Sequence, residues 1–459
     1  MKAFWLCLIL FICNPLISQE SKNDRIEILK SRRVTVLRMD TASVTILSGD
    51  VALRNGDGLF YCDSARWWRR NDRFIAFGNI RFIGNNGLKI NANNLDFKKG
   101  LADLSGDVVL RQDGQTLETN QLMYQTKEEV GWYNNGGKMI SNDGQLTSIA
   151  GRFIAKEKLF IFQNKVHATT EDYIIDCEKI SQYPERSIYI ISSKGTAKSK
   201  SGKLIFGSAI INNNLNISSF FKGVEGYDST VTFQADSLYK SDEKEITRLY
   251  GNDSIPAKWA NFTKDSLEIH SGFIEHESNF TTAVNNVITF QNNLVTHSQN
   301  LTWKPLDSII FIWGKSTAWS GGYQVISDSL IYVFGDEHNN DSLFGIGHIN
   351  ISSAPDSSGL SDEMCGKVFT GFINEGRIDK LAIRGNAVAL IHPETEQTSN
   401  IKCSEIELNF KENKLTSIRF IKGPEGNVQN EESDTFHLPN YEDRWNSQPR
   451  KIESIFGRK

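Results

Sequence analysis

A short motif that returns about every thirty residues constrains this chain more than any other feature. A small residue is followed three positions later by an apolar one, often with an aromatic two beyond. It reads Cys62-x-x-Ala65-x-Trp67, Ala92-x-x-Leu95-x-Phe97, Thr119-x-x-Leu122-x-Tyr124, Ala150-x-x-Phe153, Cys177-x-x-Ile180, Gly207-x-x-Ile210 and Ala235-x-x-Leu238. It continues as His270-x-x-Phe273, Ser298-x-x-Leu301-x-Trp303, Ser327-x-x-Leu330-x-Tyr332, Cys365-x-x-Val368 and Cys403-x-x-Ile406-x-Leu408. Steps are 27 to 31 residues as far as Ala235 and 28 to 38 beyond it, His270 being the poorest member. A second motif keeps the same rhythm: Gly49-Asp50-Val51, Gly78-Asn79-Ile80, Gly106-Asp107-Val108, Gly137-Lys138-Met139 and Asn164-Lys165-Val166. Periods of this size mean stacked units that cannot bury their apolar faces alone.

Around each small residue the side chains alternate, as in Leu88, Ile90 and Ala92 against Lys89, Asn91 and Asn93. That is the period of a half-buried strand. The odd step of three would throw Leu95 to the wrong side, so a bulge or bend must return it to the inner face. A capped i, i+3, i+4 stripe is missing after the first residues, which argues against helices. The fold expected is all-β, an elongated repetitive β-jelly roll of antiparallel stacked strands. A parallel β-helix is the alternative. Asn85-Asn86-Gly87, Asp113-Gly114 and Asn142-Asp143-Gly144 favour the antiparallel form, because they supply the positive φ of tight hairpins.

Lys2, the apolar run Phe4 to Cys13 and the small polar exit at Ser18 and Gln19 read as a secretory signal peptide over 1–19. The run is about half the roughly 20 residues needed to span a bilayer. The repetitive body covers 20–423. A polar C-terminal extension, 424–459, follows, with Ile455 and Phe456 as a possible docking pair. The balance of 51 basic and 55 acidic residues has no long run of one sign, so a nucleic-acid partner is not expected. Scattered histidines without CxxC or HExxH suggest neither a metal site nor a cofactor. Four cysteines remain after the signal. Cys365 and Cys403 hold equivalent motif places, where a bonded pair and two small buried residues are both compatible with the sequence.

Leu47-Ser48-Gly49-Asp50-Val51, Phe60-Tyr61-Cys62-Asp63-Ser64-Ala65, Ala76-Phe77-Gly78-Asn79-Ile80 and Leu104-Ser105-Gly106-Asp107-Val108 resemble the OstA-like, LptA-like lipopolysaccharide transport family in its Bacteroidota form. Gln234-Ala235-Asp236-Ser237-Leu238-Tyr239 and Ile383-Arg384-Gly385-Asn386-Ala387-Val388 extend the likeness, which is strongest over 25–170. The resemblance implies a periplasmic jelly roll, open along one side, whose interior shields lipopolysaccharide acyl chains on the way to the outer membrane. It also implies end-to-end partners: homologous jelly-roll domains of the transport machinery, or further copies of the chain.

The positions facing such an interior are Phe60, Ile90, Leu95, Leu117, Leu122, Phe153, Ile175, Phe233, Leu238 and Leu330. Periodicity cannot distinguish a lipid groove from a sealed core, and both remain open. Arg66, Arg69, Arg70 and Arg73, beside Trp67 and Trp68, are candidates for lipid phosphates. A second basic group, Lys194, Lys198, Lys200 and Lys203, and the arginines alike also read as solvated loops. Two rival functions stand beside transport. A polysaccharide-active enzyme would need acids converging at one level, whereas Asp63, Asp96 and Asp236 recur singly in different units and no GxSxG elbow occurs. No catalytic residue is therefore expected. An exported structural or adhesive solenoid would have a filled interior.

Overall fold

The computed structural model describes residues 26–430 and 437–450, except 39–42, 56–57, 85–86, 113, 143, 263–265, 336–339, 358, 375–376, 393–396 and 413. The signal segment and the pair Ile455 and Phe456 lie outside the described residues. The described elements are strands and single 3-10 turns, and every described strand pairing is antiparallel. The jelly-roll form is therefore the one adopted, and the parallel helix is not. Two compact units divide the chain, 1–163 and 164–459.

In the first unit the strands Ser43–Asn55, Gly58–Trp68, Arg73–Ile83, Lys89–Lys98, Leu101–Gln112 and Gln115–Gln125 pair in chain order. The two sequence motifs turn out to be halves of one bend. Phe77 faces Asn94 and Ile80 faces Ala92, so Gly78 and Asn79 oppose the single residue Asn93. Both residues of the bulge have left-handed backbone, φ +74 and +48. Glycine is required at the first, since a Cβ on Gly78 would collide with the Asp63 carboxylate. Each strand bends at this level and continues with its apolar set still inward. One inward row joins Leu47, Ala65, Ala76, Leu95, Leu104 and Leu122, and beyond the bend another joins Phe60, Phe82, Ile90, Leu110 and Leu117. Phe60 and Phe74 meet edge to face at 5.4 Å although they are not strand partners, so the two halves of the bent sheet face each other across an apolar interior. Burying each leucine there contributes about 1.5–3 kcal/mol.

The second unit repeats the arrangement with the long strand Ile174–Tyr183, short strands from Ile188 to Glu277 and long ones from Phe280 to Lys411. Leu301, Ile312, Leu330, Gly345, Phe369, Ile383 and Ile406 form one inward row. A Cβ on Gly345 would strike the Phe369 ring, so the glycine makes room for that phenyl group.

Three motifs sit one residue away from the position the sequence suggests. The inward pairs are Phe206 with Ala209, Ser271 with Ile274 and Gly366 with Phe369, while Ile210 and Val368 are exposed. In a fourth, Ser148 rather than Ala150 precedes the bend. Small residues occur on both sides of a bend for different reasons. Gly207, for example, lies against the Lys222 backbone, where a Cβ would come within 2.8 Å of the carbonyl oxygen. With these assignments the steps from Ser148 to Ala235 become a uniform 29 residues.

The same shift separates the two cysteines. Cys403 faces inward beside Ala387, whereas Cys365 faces outward opposite Val388. They stand on opposite faces, and all four described cysteines are free and buried. Burial pushes the Cys62 thiol up to about 12 and that of Cys177 up to about 11. Native protein held with iodoacetamide at pH 8 should therefore leave Cys62 and Cys177 unmodified, and both should react once urea unfolds the chain. Peptide mass spectrometry of the alkylated sites checks this; rapid native labelling of Cys62 would contradict it.

The C-terminal part differs most from a free polar extension. Strand Glu425–Asn430 pairs with Gln397–Lys411, and residues 437–444 form a strap across the outward face of strands Ile309–Ser320 to Arg377–Ile391. Leu438 packs on Cys365, Leu390 and Val388. The Glu363 carboxylate, 1% exposed, accepts hydrogen bonds from the Leu438 amide at 2.7 Å and from His437. Gln324 Nε2 donates to the Glu442 carbonyl at 2.8 Å and its Oε1 accepts from the Arg444 amide at 3.1 Å. Arg444 Nη1 reaches Thr317 Oγ1 at 2.6 Å. The strap finds this face because it is almost uncharged: Thr317, Trp319, Gln324, Ile326, Asn350 and Ser352 all point outward there.

Candidate functional site

Within each unit the apolar sequence candidates lie on the inward faces of the bent strands. Ile90, Leu95, Leu117, Leu122 and Phe153 are buried in the first unit, as are Leu238 and Leu330 in the second. Phe60, Ile175 and Phe233 are only half-buried. Row position does not separate the two groups, since Phe60 shares its row with the buried Ile90 and Leu117; what covers each side chain from across the interior does.

Aromatic contacts across the interior decide how closed each stretch is. Trp259 lies against His276 at 4.4 Å, and Tyr323 meets Phe410 edge to face at 5.0 Å. Neither pair belongs to adjacent strands, so both are contacts between opposed faces. Burial against Trp259 holds the His276 imidazole below its ordinary value, and its Nδ1 shares a 2.8 Å hydrogen bond with Thr281 Oγ1. In the strands around Ile174–Ser219 the outer inward row is Ile175, Ala197 and Leu204 on one side and Tyr189 and Ile211 on the other, all half-buried. Water therefore reaches apolar interior side chains in this stretch, while the rows from Ile310 and Tyr332 onward are sealed.

The arginine group is partly committed to protein partners. Arg73 binds Asp96 through two nitrogens at 2.7 and 3.2 Å, which raises its already high pKa further, and its guanidinium lies 5.7 Å from the Trp68 ring. Arg69 stacks 4.3 Å over Trp67. Arg66, Arg69 and Arg70 are exposed at the end of the strand Gly58–Trp68, near Arg73. The lysine group sits on the hairpin of Gly195–Lys198 and Lys203–Phe206, with Lys198 directly opposite Lys203. Such like charges repel and favour an anion or water between them.

The aspartates do not converge. Asp63 accepts from Asn79 at 2.9 Å and Asp96 is tied to Arg73. No group of three metal-binding side chains occurs among the described residues. Sequence reading missed the Trp259 and His276 contact, because the motif at His270 was placed one residue early. The strap was missed too. Its signal was the stretch Ser316 to Ser327, where charged residues stop alternating with apolar ones.

No helix among the described residues is long and apolar enough to cross a membrane. No curated protein matches the chain. Residues 23–178, about a third of the chain, match the family model for OstA-like proteins, and over that stretch the chain is similar to them.

Proposed function

We propose that this chain is a periplasmic lipopolysaccharide carrier whose inward apolar rows shield acyl chains during delivery to the outer membrane. The observation that supports it is the series of inward rows, bent at Gly-Asp and Gly-Asn bulges, in a chain with an OstA-like segment. Each acyl CH₂ kept from water is worth about 0.8 kcal/mol, so a continuous apolar surface makes a multi-chain amphiphile transportable. Entry is proposed where the interior is wettable, at Ile175, Leu204 and Phe233, with Phe60 as a second contact. Arg66, Arg69 and Arg70 are proposed to meet headgroup phosphates.

The proposed partners, a homologous jelly-roll domain or another copy, would join at strand Arg33–Arg38. It pairs only with Ser43–Asn55 among the described residues. Its Val34 and Val36 continue the inward rows yet are 51% and 57% exposed. An unpaired apolar edge of this kind recruits another sheet.

The test is mass spectrometry of the purified mature chain, combined with photocrosslinking from Ile175 and Phe233 and from the outward Asn93 and Gln121. Lipopolysaccharide should copurify and crosslink at the two inward sites. Its absence from the purified protein, together with no inward crosslinks in folded chain, overturns the reading. That outcome would favour an exported structural body, which the complete burial of Leu122 and Leu330 also suits.

A further inference from the structure

On one outward face of the second unit the apolar and polar alternation fails and no described segment covers it. Strands Ile309–Ser320, Tyr323–Val333, Asp341–Ser353 and Glu363–Asn374 pair in that order. Register sets Trp313 opposite Ser329, Ser329 opposite Ile346 and Ile346 opposite Val368. The next outward row joins Phe311, Ile331 and Phe344. Trp313, Ile346 and Val368 are 41%, 52% and 40% exposed, and the other three are half-buried. Their chain neighbours Ile312 and Leu330 are sealed inside, so these six face away from the interior.

The patch has sharp limits. In the same two rows the preceding strand carries Asn300 and Thr302, and the following one Arg384 and Ala382. The equivalent rows of the first unit hold Ser64 and Arg66, Asn94 and Asp96, and Ser105 and Asp103, with Phe77 and Ile75 on one strand as isolated apolar members between polar neighbours. Those are ordinary solvent faces. The face on the other side of the bend in these same strands is uncharged but largely polar, and the strap covers it. The chain thus covers one uncharged outward face with its own tail, and no described segment covers this apolar one.

Basic side chains border it. The Lys304 ammonium lies 5.7 Å from the Phe311 ring centroid. Lys315 and Lys367 are exposed beside Trp313 and Val368. Glu405 and Glu407 on the far strand are held by Arg384 and Lys380 at 2.8 and 2.9 Å, and the exposed Asp328, next to Ser329, is paired with His348 Nδ1 at 2.8 Å. We infer that this face seats on the surface of an anionic lipid bilayer, with Trp313, Phe311 and Ile346 entering the headgroup boundary and the lysines meeting lipid phosphates. Aromatic rings over an apolar patch beside lysines are what interfacial anchoring uses. A second copy fits less well. Strand and row spacings make the patch on the order of 300 Å², well short of the ~800 Å² per partner of a stable interface. The inference does not depend on the interior carrying lipid.

The experiment is flotation of the mature full chain with vesicles of phosphatidylethanolamine containing a minority of phosphatidylglycerol. Wild type should float, and the double variant Trp313→Glu, Ile346→Glu should float about tenfold less. Both positions are exposed, so the variant should fold, as circular dichroism would verify. A second measurement avoids new charge altogether. Vesicles with brominated acyl chains should quench a fraction of wild-type tryptophan fluorescence, and Trp313→Phe should remove that fraction while the protein still floats. Wild type that stays with the soluble fraction, or equal flotation of both proteins, overturns the proposal. So does a vesicle-independent dimer that the double variant abolishes, which would make the occupant a second copy. Crosslinking of lipopolysaccharide from Ile175 and Phe233 should be the same in the double variant, which separates failure of this face from failure of the carrier reading.

Discussion

Leu122→Asp should unfold the first unit. Leu122 has no exposed surface and sits in the inward row opposite Leu104, with the Gly131 backbone of the next strand close by. A carboxylate there loses its water and gains no partner, a penalty beyond the 2–5 kcal/mol that a Leu→Ala cavity costs. We expect a loss of more than about 5 kcal/mol for Leu122→Asp and about 3 kcal/mol for Leu122→Ala. The exposed Asn120→Asp should stay within about 0.5 kcal/mol of wild type. Urea denaturation followed by far-ultraviolet circular dichroism measures all three. A folded Leu122→Asp with only a small loss would mean that water already reaches this row, and the interior would then be an open groove down to the bend.

The second large effect concerns the strap. Glu363→Ala removes the acceptor of the Leu438 amide and the partner of His437, leaving a buried N–H without a bond. That should weaken strap docking by about 2–4 kcal/mol, a shift of thirtyfold to nearly a thousandfold in its opening equilibrium. Amide hydrogen exchange at Leu438 and Arg444 should rise accordingly, and trypsin should cut at Arg444 far sooner than in wild type. Binding of a hydrophobic dye should increase as Trp319, Ile326 and Leu390 become reachable. Glu363→Gln, which keeps one acceptor, should fall between the two. If exchange at Leu438 does not change in Glu363→Ala, then the Gln324 and Arg444 contacts hold the strap by themselves.

Both experiments probe features of unequal legibility in the sequence. The fold class was readable because the repeat encodes it twice, once in the small-x-x-apolar strands and once in the Gly-Asp bulges that pair with them. Antiparallel pairing was readable from turn chemistry: Gln112 pairs with Gln115, and Gly114 between them has φ +78. Face assignments were less secure. A small residue can mark a tight approach on either side of a bend, so Cys365 was placed inward when the inward residue is Gly366. The inward rows were legible but not their openness, because exposure of Phe233 and burial of Leu330 depend on contacts across the interior between distant strands. The strap is the extreme case: the uncharged stretch Ser316 to Ser327 marks a covered face, but which segment covers it, Glu442 against Gln324, is decided by folding alone.

The bulges also bear on how such a chain can change over evolutionary time. Each bend spends one extra residue on a Gly-Asp or Gly-Asn strand relative to the neighbours on both sides, and the next strand starts again from the same phase. Gain or loss of a whole strand pair therefore leaves every other inward residue inward. A single-residue insertion within a strand would reverse the faces of that strand up to its bend, and the bulge confines the damage to one half. Length in this architecture is thus a number that gene duplication can alter in whole units.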